Sequence, residues 1–579
     1  MNSRKNTLLR MGGYLWQEKW LILLALALTL GSNGLALLGP YLSGAAIDAI
    51  EIGPGKVDFA TAFTYAKWML LFYVLSAAMT YGLNVLMIAV SRKITYRMRR
   101  DMFRRLVSLP VKFFDTHPTG DIISRISYDI DTINTSLSSD LIQVLASGIT
   151  IVGSLAMMLK IAPAMVCIFL FTVPLSIFIT RYITKRTHKL YRLRSKKQGD
   201  LNGFVEEMVS GQKTLKAYCR ERKTVEDFDK ENFAAAEAYY QAEYHQAGMG
   251  PSVNFINNLS LSFISVLGAA IYIAGGISVG NISSFVLYSR KFSGPIHEIA
   301  EIWGDLQSAI AAAERVFRIL DEEPEVADAP EAGVLENIRG AVELRDITFG
   351  YEENKPVLQN FSLQTKPGQL IAIVGPTGAG KTTLINLLMR FYDPQSGEIR
   401  ADDKPVLELT RDSLRKAYSM VLQDTWLFYG TIYDNIAYGR PEATREEVIA
   451  AAKAAKIHGF IERLPKGYDT LLTDDAANIS KGQKQLLTIA RAMLMESPML
   501  ILDEATSNVD TRTEILVQQA MRKLMENKTC FVVAHRLSTV RNADRILVVR
   551  QGNVVESGTH EELMAQDGFY RELYQAQWQ

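Results

Sequence analysis

Cysteine is scarce in this chain: 579 residues contain three, Cys167, Cys219 and Cys530. They stand far apart and without paired spacing, which excludes a disulfide framework and a thiolate metal cluster. The thiols read as structural and reduced. Net charge is scarce too, with 63 Lys and Arg against 62 Asp and Glu, a formal +1 at pH 7. No basic excess is available to recruit a polyanion, so no nucleic-acid partner is expected. Long apolar runs fill the first half and are missing from the second, which reads as a soluble α/β domain. A chain of this length is expected to hold more than one domain. The asymmetry divides it into two parts with two different solvents.

A transmembrane helix needs about 20 mostly apolar residues. Six stretches qualify: 20–47, 62–91, 141–161, 164–182, 252–275 and 282–303. Four hold no Asp, Glu, Lys or Arg away from their ends, whereas a soluble helix needs a polar stripe. The first is too long for a signal h-region and no small-residue cleavage site follows it. Ahead of it, RKNTLLRMGGYLWQEKW is basic and amphipathic and reads as an interfacial helix. The connection after the second stretch begins SRKITYRMRRDMFRR, and the one after the fourth contains TKRTHKLYRLRSKK. The opposite loops, EIGPGKVDF, Ala162-Pro163 and GGISVGN, carry one lysine between them. The positive-inside rule therefore places the basic connections, both termini and the second half in the cytoplasm. The expected setting is a bacterial plasma membrane. Both basic connections read as helix almost throughout, turning near LPVKFFDTHPTGD (109–121) and EEMVSGQKTLKAY (206–218). The acidic, proline-bearing 321–340 reads as a linker between a membrane domain (1–320) and a nucleotide-binding domain (341–579).

After the linker, QLIAIV fits a buried strand, GPTGAGKT fits G-x-x-x-x-G-K-[ST], and LINLLMRF continues as helix. In such a loop Gly375, Gly378 and Gly380 let backbone N–H groups face phosphates at a helix N-terminus. Pro376, Thr377 and Ala379 complete it. Lys381 would reach the β- and γ-phosphates and Thr382 would hold Mg²⁺. Further on, PMLILDEATSNVD is an apolar strand ending in two carboxylates. Asp503 suits the Mg²⁺ shell, and Glu504 suits a base for the attacking water. His535 follows another apolar strand in TCFVVAHRLST and suits a γ-phosphate contact.

These motifs, in this order and over nearly the whole length, resemble a half-transporter of the ATP-binding cassette exporter type, the multidrug and lipid exporter group. The resemblance implies an α-helical membrane domain of six transmembrane helices with long cytoplasmic extensions, followed by an α/β P-loop NTPase cassette. Its cofactors would be ATP and Mg²⁺. Tyr351 matches the adenine-stacking aromatic and Gly375 to Thr383 the Walker A loop. Gln423 matches the glutamine that touches Mg²⁺ and senses the membrane domain. Ser480, Lys481, Gly482 and Gln483 match the signature, Met499 to Glu504 match Walker B, Asp510 matches the loop that crosses to the partner cassette, and His535 matches the switch histidine. FFDTHPTGDIISR and SGQKTLKAY resemble the two coupling segments.

The family closes two cassettes around ATP, so a second half-transporter is implied. The signature departs from the usual Leu-Ser-Gly-Gly-Gln: this chain has Ile479-Ser480-Lys481-Gly482-Gln483. LTDDAAN stands where a Gly-Glu-x-Gly pattern is usual, and Asn508-Val509 where Ala-Leu is usual. A long cation in a tight loop favours holding ATP over cycling it, so a heterodimer is the favoured assembly and a homodimer the alternative. ATP-driven export or flipping of an amphipathic small molecule, lipid or peptide is the leading reading. Siderophore-type import by the same fold and a nucleotide-gated regulator are the alternatives, and the presence of Glu504 weighs against a regulator. The substrate is left open. At least one of Arg290 and Lys291 is expected to line the translocation cavity or to pair with a carboxylate of the partner half. Asn254, Asn257 and Asn258 share one helix face, for interhelical bonds or for substrate.

Overall fold

A computed structural model describes residues 2–50, 57–352, 355–423, 425–472, 478–503, 511–534 and 537–578. Glu504, Asp510 and His535 lie outside them. The chain forms two units: Met1–Val107 with Thr119–Glu322, and Ser108–Pro118 with Glu323–Gln579.

The apolar runs of the first unit become long helices: α1 (Asn2–Trp16), α2 (Lys19–Asp48), α3 (Phe59–Ser108), α4 (Thr119–Ile161), α5 (Pro163–Ser210), α6 (Glu221–Ile273) and α7 (Val279–Asp321). By length and composition, α2 to α6 are each able to cross a membrane. The sixth expected span lies in α7, a continuous helix of 43 residues that carries Arg290 and Lys291. At 1.5 Å per residue the 50 residues of α3 reach about 75 Å, against a hydrocarbon core of about 30 Å. The expected extensions beyond the bilayer are therefore present. The two turn-like segments fold as short helices, Val111–Thr116 and Gln212–Ala217.

α1 is tied to the ends of other helices by polar contacts. Arg10 pairs with Asp321 at 2.6 Å, and the Tyr14 hydroxyl donates to Asp101 at 3.1 Å. Glu18, just after α1, is buried between Lys93 and Arg97. The hydrogen bond from Lys93 holds its carboxyl below the usual range. A second buried carboxylate, Asp129, receives Arg315 through two bonds of 2.8 and 2.5 Å. Asp129 ends the first of two π-helical stretches in α4, Arg125–Asp129 and Ser136–Asp140.

Pro40 stands inside α2. It has no N–H, so the carbonyl of Ala36, four residues earlier, loses its intrahelical donor. Lys291 supplies a replacement, its Nζ lying 3.2 Å from Ala36 O. Tyr288 and Ser284, one and two turns earlier on the same face of α7, donate to Leu37 O at 2.5 Å and Pro40 O at 2.9 Å. Gly44 and Gly280 let the two backbones meet, since a Cβ on either would run into the other's carbonyl oxygen. Lys291 thus has a structural partner within its own unit, and Arg290 is exposed. Of the three asparagines, Asn257 faces Thr172, Ser176 and Ser293 across a narrow cleft, while Asn254 and Asn258 are exposed.

The second unit holds the strands β1 (Val342–Phe349), β2 (Leu358–Gln364), β3 (Leu370–Val374), β4 (Ser396–Ala401), β5 (Lys404–Pro405), β6 (Tyr418–Val421), β7 (Gly430–Thr431), β8 (Leu471–Leu472), β9 (Met499–Asp503), β10 (Thr529–Val533), β11 (Arg545–Arg550) and β12 (Asn553–Gly558). The main sheet runs β12-β11-β3-β10-β9-β6, and a second runs β2-β1-β4-β5. The main sheet is parallel except at β12. Its central strands are apolar on both faces, as parallel strands require. Ile371, Ile373, Ile501 and Phe531 enter one core, shared with the second sheet. Ala372, Leu500, Leu502 and Val532 enter the other, shared with helix α9 (Lys481–Leu494). Cys530 lies in this second core, where burial pushes its thiol up to about 12.

The acidic stretch read as a linker is pinned from Glu323 onward. Glu325 pairs with Arg415 at 2.5 Å, Asp328 with Arg411 at 3.0 Å, and Leu335 is buried in the core. Its carboxylates thus answer the buried Arg411 and the partly buried Arg415.

The Pro40–Lys291 arrangement predicts a thermodynamic coupling. Lys291→Met should destabilise the purified chain by about 0.5–2 kcal/mol, because Ala36 O is left without a donor. In a Pro40→Ala background the helix supplies that donor itself, so the same substitution should cost clearly less. Equal losses in both backgrounds, measured by thermal unfolding, would show that Lys291 does not serve this carbonyl.

Candidate nucleotide site

The parallel register decides where the motif residues meet. Val533 of β10 is level with Ile373 of β3 on one side and with Asp503 of β9 on the other. The loop after β3, the carboxylate ending β9 and the chain leaving β10 towards position 535 therefore share one carboxyl edge. That edge is where open α/β sheets bind ligands.

The loop itself is shaped for close backbone approach. Gly375 has no room for a Cβ, which would meet Val549 O. Gly380 adopts φ +104°, and a Cβ there would also lie 2.8 Å from Leu358 Cδ2. Pro376, Thr377 and Gly378 are exposed, while Ala379 and Gly380 are buried beneath them. Helix α8 (Lys381–Leu388) starts at once, with its free N–H groups facing the loop. Lys381 folds over the loop and donates to Gly375 O at 2.7 Å and Pro376 O at 2.9 Å. Burial pushes its ammonium below the ordinary lysine value, and the Asp503 carboxylate pulls the other way. Thr382 is exposed at the helix start and Thr383 is buried.

Tyr351 is 42% exposed. Its hydroxyl bonds Thr383 Oγ1 at 3.2 Å and accepts from Asn386 at 3.0 Å. The sequence spacing thus brings the expected adenine aromatic onto the helix of the phosphate loop. Gln423 is exposed just after β6, the strand beside β9.

Ser480 is the N-cap of α9. Its hydroxyl accepts from Gln483 N at 3.3 Å, and its own N–H donates to Gln483 Oε1 at 2.8 Å. This is a reciprocal capping box. Lys481 is the first helical residue and is exposed, whereas Gly482 is buried against the helical core.

Two residues not singled out from the sequence hold this region together. The buried Asn435 side chain takes Phe428 N and donates to Phe428 O, both at 2.8 Å. Arg491, on α9, donates to Asn435 O at 2.8 Å and Trp426 O at 3.1 Å. The segment following Gln423 is therefore fastened to the helix that Ser480 opens. A polar residue in the apolar-periodic stretch IYDNIA was the available signal.

The ABC transporter transmembrane region matches residues 22–296, and the ABC transporter family matches residues 358–507. An ABC transporter ATP-binding protein of Bacillus subtilis (strain 168), YfiC, is 43% identical over 575 residues, 99% of this chain and 95% of its own length. The chain belongs to the ABC transporter family. It joins the helical transmembrane region of an exporter to one ATP-hydrolysing cassette. A fatty acid ABC transporter ATP-binding/permease protein of Mycobacterium tuberculosis (strain CDC 1551 / Oshkosh) is 43% identical over 531 residues, covering 92% of this chain and 84% of that one. An ATP-dependent lipid A-core flippase of Hahella chejuensis (strain KCTC 2396) is 37% identical over 494 residues, covering 85% and 84%. Among solved structures, a bacterial Atm1-family ABC exporter with ATP bound superposes with TM-score 0.78 at 30% identity, covering 97% of this ABC exporter chain and 98% of that one.

Removing the Arg491 guanidinium leaves the carbonyls of Asn435 and Trp426 without this donor. Arg491→Ala is expected to cost about 1–3 kcal/mol of cassette stability and to lower ATP hydrolysis. Arg491→Lys should recover only part of it, because one ammonium does not reproduce the planar fork. Denaturant unfolding and hydrolysis rates of the three proteins check this. Full recovery by lysine would rule out the geometry.

Proposed function

We propose that this ABC exporter moves an amphipathic molecule, lipid before peptide, across a bacterial plasma membrane by alternating access. Its termini and cassette would lie in the cytoplasm. The observation that carries the reading is the common carboxyl edge of β3, β10 and β9, in a chain whose other half is a set of apolar helices. The named activities of the mycobacterial and Hahella relatives support a lipid.

In this reading ATP lies on the loop Gly375–Thr383 with its adenine against Tyr351. The glycine cradle, the start of α8 and the poised Lys381 fit a triphosphate. Thr382, Gln423 and Asp503 are the oxygen donors that would hold Mg²⁺, a hard cation, which would neutralise the β- and γ-phosphate charge. Glu504 orients and deprotonates the attacking water, and His535 contacts the γ-phosphate. Ser480, Lys481, Gly482 and Gln483 face the nucleotide of the partner cassette, and Asp510 lies in the loop that crosses to it. Lys481 brings a second positive charge to a helix start that is already electropositive, which suits an anion held long rather than released. A heterodimer follows: this chain gives the catalytic face of one site and an altered signature to a second, slower one.

Lys381→Ala and Glu504→Gln should each abolish ATP turnover while membrane insertion is kept, and Glu504→Gln should still bind ATP. Steady hydrolysis by Glu504→Gln would assign the base elsewhere. The chain expressed alone should hydrolyse ATP slowly and gain rate with a partner half-transporter carrying a regular signature. Brisk, transport-coupled hydrolysis by the chain alone would make it a symmetric homodimer and Lys481 a tolerated variant.

A further inference from the structure

Within the first unit a cavity of about 660 Å³ opens between α2, α3 and α4. That is the size range of pockets that hold small molecules. Its polar lining is made of hydroxyls and amides, and among the described residues no Asp, Glu, Lys, Arg or His lines it. Part of the lining is already tied up. Ser76 donates to Ser32 O at 2.8 Å, Ser138 to Asn134 O at 2.6 Å, and Ser91 accepts from Asn134 at 2.7 Å.

Another part is open. Thr80, Asn84 and Ser139 are exposed into the cavity and make no side-chain hydrogen bond among the described residues. Thr80 and Asn84 are one turn apart, so they share a face of α3 with Ser76 before them and Ser91 beyond. Polar side chains at membrane depth point to protein or to a cavity, since hydrocarbon answers none of their hydrogen bonds. The π-helical stretch Ser136–Asp140 forms part of the same wall and carries Ser138 and Ser139. Single π turns are rare and recur at functional sites. Leu83, Met87 and Ile88 supply apolar surface beside the polar groups, and Ile88 is exposed.

The charges nearby do not favour an anion. Gln143, on the cavity wall, reaches Glu298 at 3.4 Å, and Ser147 donates to the same carboxylate at 2.9 Å. Lys291 does not line the cavity and is engaged by Ala36 O.

We propose that this cavity binds the head group of a lipid that is uncharged and rich in hydroxyls, as on a glycosylated diacylglycerol, with its chains along Leu83, Met87 and Ile88. This deepens the transport reading by naming the substrate class, and it discriminates against a bare carboxylate. A neutral polyol both donates and accepts, which matches Thr80, Asn84 and Ser139. A carboxylate only accepts and would meet no cation there.

The test is equilibrium binding of radiolabelled monoglucosyldiacylglycerol to the full chain in phosphatidylcholine vesicles without nucleotide, with radiolabelled oleate in parallel. Saturable glycolipid binding is expected. Thr80→Val with Asn84→Leu should weaken it about tenfold, the loss of one or two hydrogen bonds. Thr80→Ser with Asn84→Gln should bind within about twofold of the original protein. Basal ATP hydrolysis should be the same in all three. Unchanged affinity in the Val/Leu protein overturns the proposal, and so does oleate bound as tightly and weakened by the same substitutions. Should the Val/Leu protein not insert, a diazirine-bearing glycolipid decides on the unmodified chain. Labelling of α3 and α4 supports the site, and labelling only elsewhere refutes it. Binding also measured on Lys381→Ala separates this proposal from the transport reading. If glycolipid binds there but no lipid moves with ATP in the unmodified protein, transport fails and the site stands. If lipid moves with ATP and no glycolipid binds, the site fails alone.

Discussion

The level alignment of β3, β10 and β9 is the constraint on which the catalytic half depends. Each strand ends at its own motif, and the motifs are far apart in sequence: Gly375 follows β3, Asp503 ends β9, and position 535 follows β10. A one-residue slip between parallel strands would turn the inward residues outward and separate the loop from the carboxylate. What forbids the slip is burial on both faces. Ile373 and Val374 enter opposite cores, and so do Ile501 and Leu502. Apolar packing therefore fixes polar geometry.

The helical half answers a different constraint, since hydrocarbon offers no hydrogen bonds. Hydroxyls are returned to their own helix, as when Thr29 bonds Ala25 O at 2.8 Å and Thr150 bonds Ala146 O at 2.9 Å. A carbonyl freed by Pro40 is met from the neighbouring helix. Lys291, a charge in an apolar stretch, is costly alone and reasonable beside an unpaired carbonyl. It tethers α7 to α2 at the point where α2 has lost a bond of its own.

Much of this was legible in the sequence because it is local. Apolar runs marked the long helices, and the spacing of GPTGAGKT marked a strand, loop and helix. What was not legible depends on partners remote in sequence. Lys291 meets Ala36, Arg315 meets Asp129, and Arg491 meets Trp426 and Asn435. No periodicity encodes such pairs. The π stretches of α4 were hidden for a related reason, since one extra residue in a turn leaves composition untouched. The stretch 321–340 reads as a linker from its acidic, aperiodic composition, and from Glu323 its charges serve as partners for Arg411 and Arg415.

The segment Ser108–Pro118 lies between α3 and α4 in sequence, yet it packs with the second unit. Its Asp115 accepts from the Tyr392 hydroxyl at 2.5 Å. Burial and that carboxylate push the Tyr392 phenol well above its usual range, so it stays a donor. The Tyr392 ring meets the edge of Tyr351 at 5.1 Å, and both rings pack on Phe349. Tyr351 in turn bonds the helix that begins at Lys381. One continuous set of contacts thus runs from the phosphate-loop helix through two tyrosines to a segment whose chain continues directly into α3 and α4. Edge-on rings tolerate little displacement without loss of contact. Displacing Tyr351 therefore loses the contact with Tyr392, unless Tyr392, held by Asp115, moves with it.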